Sequence, residues 1–377
     1  MNPWHEVAAQ GQSVWTDYIR REFVRSGELK RLTEEDAVTG GTANPTIFEQ
    51  AIVNSSDYDE RVRELLAEGA DANAIYEDLA IDDIRMAADV FRPFWDAKSG
   101  ADGYISIEVS PKLAHDTAGT NEEARRFFEL IDRPNVLIKI PATAAGLPAI
   151  RETISRGINV NVTLIFARSR YREVAEAYIA GLEDLVRSKK APLEAVASVA
   201  SFFVSRVDTL VDPRLDKLAG EATSDDVRRE ARELRGKAGI ANARLAYQDF
   251  LEIFRGERFR ALQDMGARVQ RPLWASTGVK DPAYRDTMYV EELIGADTVD
   301  TVPPATLDAF RDHGVVRGQT IVEDVEGARQ VERRLAAIGI DLEEVGRTLE
   351  DEGVEKFDKS FVNLLDGIAK KREMVSA

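Results

Sequence analysis

Short apolar runs rich in β-branched residues alternate along the chain with longer amphipathic segments of helical periodicity. Eight such runs occur, and helical sequence follows each of them, which is the count and order of a (β/α)8 barrel. The competing α/β layout, a doubly wound open sheet, typically carries G-x-G-x-x-G after its first strand, and no such motif follows the first run. The pattern therefore predicts a closed (β/α)8 TIM barrel. Its predicted strands are 13–17, 38–44, 103–109, 135–141, 158–164, 196–203, 271–276 and 298–302.

Helical periodicity also predicts elements beyond the basic barrel. The charged stretch 223–265 is expected to form a long helix pair inserted before the seventh strand, most simply a solvated hairpin. Residues 322–338 and 341–371 are expected to form two C-terminal helices. No repeat or Gly/Ser/Pro-rich linker divides the sequence, so a single domain over 1–377 is expected. Helices predicted between strands include 71–97, 121–132, 168–187 and 282–294.

The composition narrows the possible functions. The chain has 377 residues, with 67 Asp and Glu against 50 Lys and Arg, and its formal charge of −17 argues against nucleic acid or an anionic membrane as partner. It has no Cys, and its three His residues (His5, His115 and His313) are far apart, so neither a disulfide nor a metal site is expected. We find no secretory signal and no apolar run of about 18 residues, which predicts a cytoplasmic protein. The sequence leaves monomer and homodimer open.

A lysine lies inside a strongly apolar predicted strand. Lys139 stands in NVLIKIP with apolar neighbours on both sides, although lysine is almost never fully buried unless it is paired. One interpretation is an exposed edge strand or a structural ion pair. The other is a desolvated amine that acts as a nucleophile, which Schiff-base formation with a carbonyl substrate requires.

The predicted fifth strand, INVNVTL, alternates polar and apolar residues. Asn159, Asn161 and Thr163 fall on one face, whereas the residues between them and Leu164 fall on the helix-facing side. An unpaired buried amide costs about 1–3 kcal/mol, so the polar groups need partners. They either satisfy one another inside the barrel or bind a polyhydroxy ligand or a catalytic water.

Polar side chains also end three other predicted strands. Ser106 and Glu108 share one face of GYISIEV, where the Glu108 carboxylate is either the counterion of Lys139 or a reacting group. Asp17 ends SVWTD at the carboxyl end of a strand, where catalytic side chains of such barrels collect, but an isolated Asp there is also a common N-cap. Asn44 in GGTANPTIF is equally explained by turn chemistry.

Two cations follow the late strands of this acidic protein. Arg206 comes after the sixth strand, close to Ser201 and Phe203, and Lys280 follows the seventh, close to Ser276. Loops after late barrel strands often hold phosphate, which Arg binds through its planar fork and Lys as a point charge. Each cation alone is as well explained as a solvated residue at a helix start. Together they favour a phosphate-bearing ligand.

Seven segments spread over nearly the whole chain carry a family resemblance. In order they are SVWTD, GGTANPTIFEQAI, YISIEVSP, VLIKIPAT, GINVNVTLIF, SVASFFVSRVD and WASTGVKDPAY. By these segments the sequence resembles the transaldolase family, of the long bacterial type. The resemblance implies a barrel of the class I aldolase group that uses no metal and no organic cofactor. Ala43 and Thr16 depart from the residues frequent in the family, and neither change removes a reacting group.

The resemblance also implies roles for individual residues. Lys139 is similar to the family's Schiff-base lysine, and Asp17 to its general acid/base. Glu108 and Thr163 match the pair that positions a water for proton transfer. Asn44 and Asn161 match the groups that hold the hydroxyls of the donor, and Ser201 and Phe203 match residues of the site wall. Arg206 matches a phosphate-binding arginine. Ser276 and Lys280 are further substrate-binding candidates, in a loop that reads TGVK where many relatives have an arginine earlier.

The implied reaction moves a dihydroxyacetone unit from sedoheptulose 7-phosphate to glyceraldehyde 3-phosphate, giving erythrose 4-phosphate and fructose 6-phosphate. The nearest alternative is a class I aldolase of the fructose-6-phosphate aldolase type, whose members tend to carry Gln and Tyr where this chain has Glu108 and Phe203. A metal-dependent barrel hydrolase with Asp17 and Glu108 as ligands and a non-catalytic sugar-phosphate-binding barrel are alternatives from other classes. The helix over 341–371 is expected to help close the site against water.

Overall fold

Eight parallel strands form a closed barrel in the computed structural model, which describes residues 2–53 and 55–376. Each strand pairs with the next in the chain, and the eighth pairs with the first. The predicted (β/α)8 barrel is confirmed, and each strand boundary lies within two residues of its predicted position. The strands are β1 (Gln12–Thr16), β2 (Val38–Thr42), β3 (Ile105–Glu108), β4 (Val136–Pro141), β5 (Val160–Ile165), β6 (Ser198–Phe203), β7 (Arg271–Ala275) and β8 (Thr298–Val302).

Helices surround the barrel and cross its carboxyl end. In the described ranges no helix combines the length and the apolarity that crossing a membrane needs. Short 3-10 helices lie at Pro111–Leu113, Leu193–Ala195 and Thr320–Val322. The α-helices are α1 (Pro3–Ala9), α2 (Arg21–Arg25), α3 (Glu28–Glu35), α4 (Pro45–Val53), α5 (Asp59–Ala67), α6 (Ala72–Ala97), α7 (Thr117–Ile131), α8 (Gly146–Ser155), α9 (Arg168–Ser188), α10 (Ser205–Glu221), α11 (Asp225–Leu234), α12 (Ala238–Phe254), α13 (Glu257–Gln263), α14 (Met288–Glu292), α15 (Pro304–His313), α16 (Val325–Ala337) and α17 (Leu342–Ser376).

Strand alternation divides the apolar residues into an outer and an inner set. Outward side chains such as Ile138 and Phe202 belong to the large core that packs the strands against the helix layer. Inward side chains fill the middle of the barrel, and they include Trp15, Leu137, Val199, Leu273 and Val299. This apolar plug separates the polar inward side chains at the carboxyl end of the strands, such as Lys139, from those at the amino end, such as Ser13.

The segment 223–265 is not a solvated hairpin, and that expectation was wrong. It forms three helices, and α12 is largely buried in the helix layer. Asn242 donates to the carbonyl of Phe166 at 2.7 Å, and Asp249 forms ion pairs with Arg168 and Arg172 of α9. The charged residues that suggested solvation are concentrated on α11, whereas α12 contributes core residues of the barrel itself.

The helix predicted over 282–294 is mostly a loop. Only Met288–Glu292 is helical, and the preceding residues form an irregular connection after β7. The predicted C-terminal helices are confirmed as α16 and α17.

Helix α17 passes closely over the carboxyl end of the barrel. A Cβ atom at Gly353 would lie 2.9 Å from a methyl carbon of Leu164, and one at Gly346 would lie 2.8 Å from the backbone nitrogen of Ala167. Glycine therefore permits the approach of this helix to the residues after β5. Small residues recur every seven positions along it, as Gly346, Gly353, Ser360 and Gly367.

Candidate active site

Lys139 lies on β4 with its amine inside the barrel. The residue is 5% exposed, and Nζ donates to Oε2 of Glu108 at 3.1 Å. Glu108 is the register partner of Lys139 on β3 and is 6% exposed. Pairing compensates two charges that burial alone would disfavour. Because β4 lies between β3 and β5, the edge-strand interpretation is wrong, while the ion pair is present.

The site cavity has a volume of about 120 Å³ and lies at the carboxyl end of the strands. Catalytic groups of TIM barrels meet at this end. Of the sequence-predicted residues, the cavity is lined by Asp17, Asn44, Lys139, Thr163, Ser201, Phe203, Arg206 and Ser276. Residues from β4, β5, β6 and α10 and from the connections after β1, β2 and β7 are thereby brought together.

Asp17 follows β1 directly and turns its carboxyl group to the cavity. Its backbone N–H donates to the carbonyl of Val302 at 3.2 Å, which holds the residue beside β8. The N-cap of the next helix, α2, is Arg20, so the N-cap interpretation of Asp17 is wrong. Burial raises the pKa of Asp17 to about 6, while the charges of Lys280 and Lys139 lower it. A carboxyl group with this pKa can exchange a proton near neutral pH.

Glu108 and Thr163 flank the lysine. Burial raises the pKa of Glu108, and the charges of Lys139 and Arg206 act in the opposite direction. The hydroxyl of Thr163 is buried without a hydrogen-bond partner among the described residues. A buried hydroxyl of this kind is available to a ligand or a bound water.

Asn161 lies beneath the cavity rather than in its wall. Its Nδ2 donates to Oγ of Ser106 at 3.0 Å, and Oγ of Ser201 donates to its Oδ1 at 2.7 Å. This network satisfies the buried amide and fixes the hydroxyl of Ser201, which does line the cavity. The internal-network interpretation of Asn161 is confirmed, and its direct contact with a ligand stays a prediction.

Asn159 and Leu164 lie outside the cavity. Asn159 donates to the carbonyls of Pro134 and Val136, at 2.9 and 3.1 Å, at the opposite end of the barrel, and its Oδ1 accepts from the backbone N–H of Ala197 at 2.9 Å. The internal hydrogen-bond interpretation is therefore confirmed for Asn159, and the ligand-binding interpretation is wrong for it. Leu164 does not continue the helix-facing row, because its φ of +60° interrupts the alternation at an irregularity in the β5–β6 pairing. Its side chain packs instead with the inner set and α17.

Asn44 both caps the turn that begins α4 and lines the cavity. Its Oδ1 accepts from the backbone N–H of Ile47 at 3.0 Å in the first turn of α4, as turn chemistry predicts. The residue also lines the cavity, where Oγ1 of Thr42 and Oγ1 of Thr301 are 3.1 Å apart. The hydrogen bond to the turn fixes the orientation of the amide.

Arg206 presents a cation at the cavity mouth. Its guanidinium carbon lies 5.0 Å from the ring centre of Phe203 and 6.0 Å from that of Phe357. In the described part of the chain no hydrogen bond or ion pair engages this guanidinium. The stacking fixes its plane and leaves its N–H groups for an anion.

Lys280 does not line this cavity. It is exposed in the loop after β7 and borders a neighbouring cavity with Asp281 and Tyr284. Its charge nevertheless acts on Asp17. The phosphate role of Lys280 stays a prediction.

Comparisons with known proteins agree with this geometry. Residues 14–368 match the model of the family described as Transaldolase/Fructose-6-phosphate aldolase. The chain belongs to this family. It is 50% identical over 360 residues to a transaldolase of Mycobacterium tuberculosis, covering 95% of this chain and 94% of the relative. Transaldolases of Mycobacterium ulcerans and Mycolicibacterium smegmatis are each 51% identical over 96% of this chain, covering 94% and 95% of their own lengths. The prediction of an enzyme, a transaldolase, is confirmed at this level.

The sequence reasoning missed Phe357, which α17 brings into this family member's site. The ring centre of Phe357 lies 5.6 Å from Nζ of Lys139. The charge of Arg206, followed by burial and the charge of Lys280, lowers the pKa of the adjacent Lys356, so this helix also carries a cation towards the mouth. The seven-residue spacing of small residues in α17 is the signal that could have indicated its close packing.

Asp300 is a second missed residue. It is completely buried on β8, its Oδ1 accepts from Oγ1 of Thr277 at 2.8 Å, and its Oδ2 has no hydrogen-bond partner among the described residues. Burial raises the pKa of Asp300 to about 7, and the charge of Asp17 adds to the rise. The polar position in the run TVDTV was the available signal.

Proposed function

We propose that this protein is a transaldolase that transfers a dihydroxyacetone unit from sedoheptulose 7-phosphate to glyceraldehyde 3-phosphate through a Schiff base on Lys139. The observation that carries the proposal is the buried amine of Lys139, paired with Glu108 and facing the same cavity as Asp17. Family membership and the transaldolase relatives support it.

The first step forms the imine. Lys139 passes a proton towards Glu108, whose carboxylate is 3.1 Å away, and the neutral amine adds to the ketone carbon of the donor. The carbinolamine takes a proton back on its hydroxyl and loses water, which leaves a protonated imine on Nζ. The hydroxyl of Thr163 would hold the water that relays these protons.

The second step breaks the C3–C4 bond. Asp17 takes the proton of the C4 hydroxyl, the C3–C4 electron pair moves into the protonated imine, and the aldose phosphate leaves as an aldehyde. The enamine that remains adds to the carbonyl carbon of the acceptor, and Asp17 returns its proton to the new hydroxyl. Water then hydrolyses the imine and releases the ketose product and the amine.

The remaining cavity residues provide binding rather than chemistry. Arg206 would bind the phosphate, and Asn44, Ser201 and Ser276 would hold the hydroxyls of the donor. Phe357 covers the amine from the side of α17. Shielding from water favours transfer over hydrolysis, because the enamine then persists until an aldehyde acceptor binds.

A transfer assay tests the proposal. The protein is expected to convert sedoheptulose 7-phosphate and glyceraldehyde 3-phosphate to erythrose 4-phosphate and fructose 6-phosphate, with activity retained in EDTA. Lys139→Met should abolish turnover, whereas Lys217→Met, at an exposed lysine of α10, should leave it unchanged. Free dihydroxyacetone formed as fast as transfer product would instead establish the aldolase alternative, and no turnover of either kind would reject the proposal.

A further inference from the structure

A second cavity opens at the amino-terminal end of the barrel, opposite the active site. Its volume is about 340 Å³, larger than the 120 Å³ of the active-site cavity. This volume falls within the range of about 300–1,000 Å³ that is typical of small-molecule sites. The mechanism proposed above uses none of the residues that line it.

The floor of this amino-terminal cavity is the apolar layer directly beneath the active site. Each floor residue stands two positions before an active-site residue: Leu137 before Lys139 on β4, Val199 before Ser201 on β6, and Trp15 on β1 before Asp17, which follows that strand directly. Side chains two positions apart point to the same face of a strand. A ligand in the cavity would therefore rest on the side chains that support the catalytic layer.

The buried carboxylate in the wall of this cavity is already saturated. Oδ1 of Asp102 accepts from Nε1 of Trp15 and from the backbone N–H of Gly103, both at 2.9 Å. Its Oδ2 accepts from the hydroxyls of Ser13 and Thr39, at 2.5 and 2.7 Å. Four neutral donors occupy the lone-pair sites of this carboxylate, so it has no acceptor site left for a ligand, although its negative charge remains.

Three cations, Lys98, Arg268 and Arg271, line the same cavity, and within the described ranges none of them is in a direct ion pair with a carboxylate. Among the described residues, Arg268 donates only to the backbone carbonyls of Ser99 and Glu194. Arg271 donates to the hydroxyl of Ser13 and to the carbonyls of Ala101 and Thr298.

The other carboxylate in the lining is Asp297. The lining therefore carries three cations against two carboxylates, Asp102 and Asp297, whose charges act on Arg271. An apolar floor with this excess of one positive charge around it, in a protein of charge −17, fits a ligand with an apolar body and one negative group.

We propose that the amino-terminal cavity is a second binding site, for a small anion with an apolar body such as an aromatic carboxylate or sulfonate. The site is independent of the proposed reaction, since it shares no residue with the active-site cavity.

Titration of the full chain with anilinonaphthalene sulfonate, followed by dye fluorescence, tests this site. We expect saturable binding that excess fructose 6-phosphate does not displace. Ala197→Phe fills the cavity from a residue that is 9% exposed, and should raise Kd about tenfold by removing the space for the aromatic body. Lys98→Glu should raise Kd about threefold, whereas the matched control Lys217→Glu, at an exposed position on α10, should not change it.

Each contrary outcome overturns the proposal. Absence of saturable binding, displacement by fructose 6-phosphate, or equal Kd values in Lys98→Glu and Lys217→Glu would show that the dye binds elsewhere or not at all. Thermal unfolding monitored by circular dichroism shows whether Ala197→Phe is folded. If it is not, the pair of lysine variants decides, and neither readout depends on enzymatic turnover.

Discussion

Replacing Asp17 by Asn is expected to stabilise the protein while removing its activity. Burial raises the pKa of Asp17 from 3.8 to about 6, so the folded protein carries an unfavourable charge at neutral pH. Each pKa unit corresponds to about 1.4 kcal/mol, and the rise therefore amounts to about 3 kcal/mol of lost stability at pH 7.5. Asp17 keeps part of its surface open to the cavity, so this value is an upper limit.

The gain in stability should depend on pH in a defined direction. Because the folded state holds the Asp17 proton more tightly than the unfolded state, the cost of the charge is fully present above the folded pKa of about 6. It decreases as the pH falls towards 3.8, the ordinary value. At pH 5 the cost is about half of its value at pH 7.5, since the folded protein is then mostly protonated at this site.

Urea unfolding at pH 7.5 and pH 5, followed by circular dichroism, measures this difference. Asp17→Asn should exceed the parent by up to about 3 kcal/mol at pH 7.5 and by about half as much at pH 5. Asp36→Asn is a control of opposite sign: burial raises the pKa of Asp36, but hydrogen bonds from Arg311 and Asn2 outweigh it and leave the pKa lowered. This control should be destabilised. A loss of stability in Asp17→Asn, or a gain that is the same at both pH values, would refute the reasoning.

Three further predictions concern turnover. Since Asp17 must be ionised to take the C4 hydroxyl proton, kcat/KM should fall below about pH 6, and a profile flat down to pH 5 would contradict this role. Phe357→Ala should raise the ratio of free dihydroxyacetone to transfer product about tenfold, because it removes the ring that covers the amine. Val362→Ala, at a 40% exposed position of the same helix, should leave this ratio unchanged, and quantifying both products measures it. Arg206→Leu should raise KM for phosphorylated acceptors about 10- to 100-fold and leave KM for unphosphorylated glyceraldehyde unchanged; an equal rise for both would exclude phosphate binding.

The sequence was sufficient to predict the barrel because each strand carries its own local signal. Runs such as VLIKIP and SVASFF are apolar on both faces, as strands between a filled interior and a helix layer must be. The contrast between these apolar runs and a charged side chain also indicated Lys139, Asp17 and Glu108, since charged residues are rarely buried unless they are paired or functional. Parallel strands all present their carboxyl ends at one mouth, which explains why these separate signals meet in one cavity.

What the sequence did not predict depends on contacts between elements distant in the chain. No property of Phe357 itself indicates that α17 lies against the residues after β5, because that packing is decided by small residues elsewhere on the same helix, such as Gly353, which faces Leu164. The burial of α12 was missed since charge was averaged over three helices of different exposure. The positive φ of Leu164 broke the period-two rule on which its predicted direction depended.

Covalent trapping tests the central claim most directly. The protein is incubated with fructose 6-phosphate and borohydride, which should reduce the imine. The peptide that contains Lys139 should then gain the mass of the reduced three-carbon or six-carbon sugar fragment, and Lys139→Met should gain none. An active protein with no added mass on this peptide, or with the label on another lysine, would contradict the assignment of the buried amine as the nucleophile.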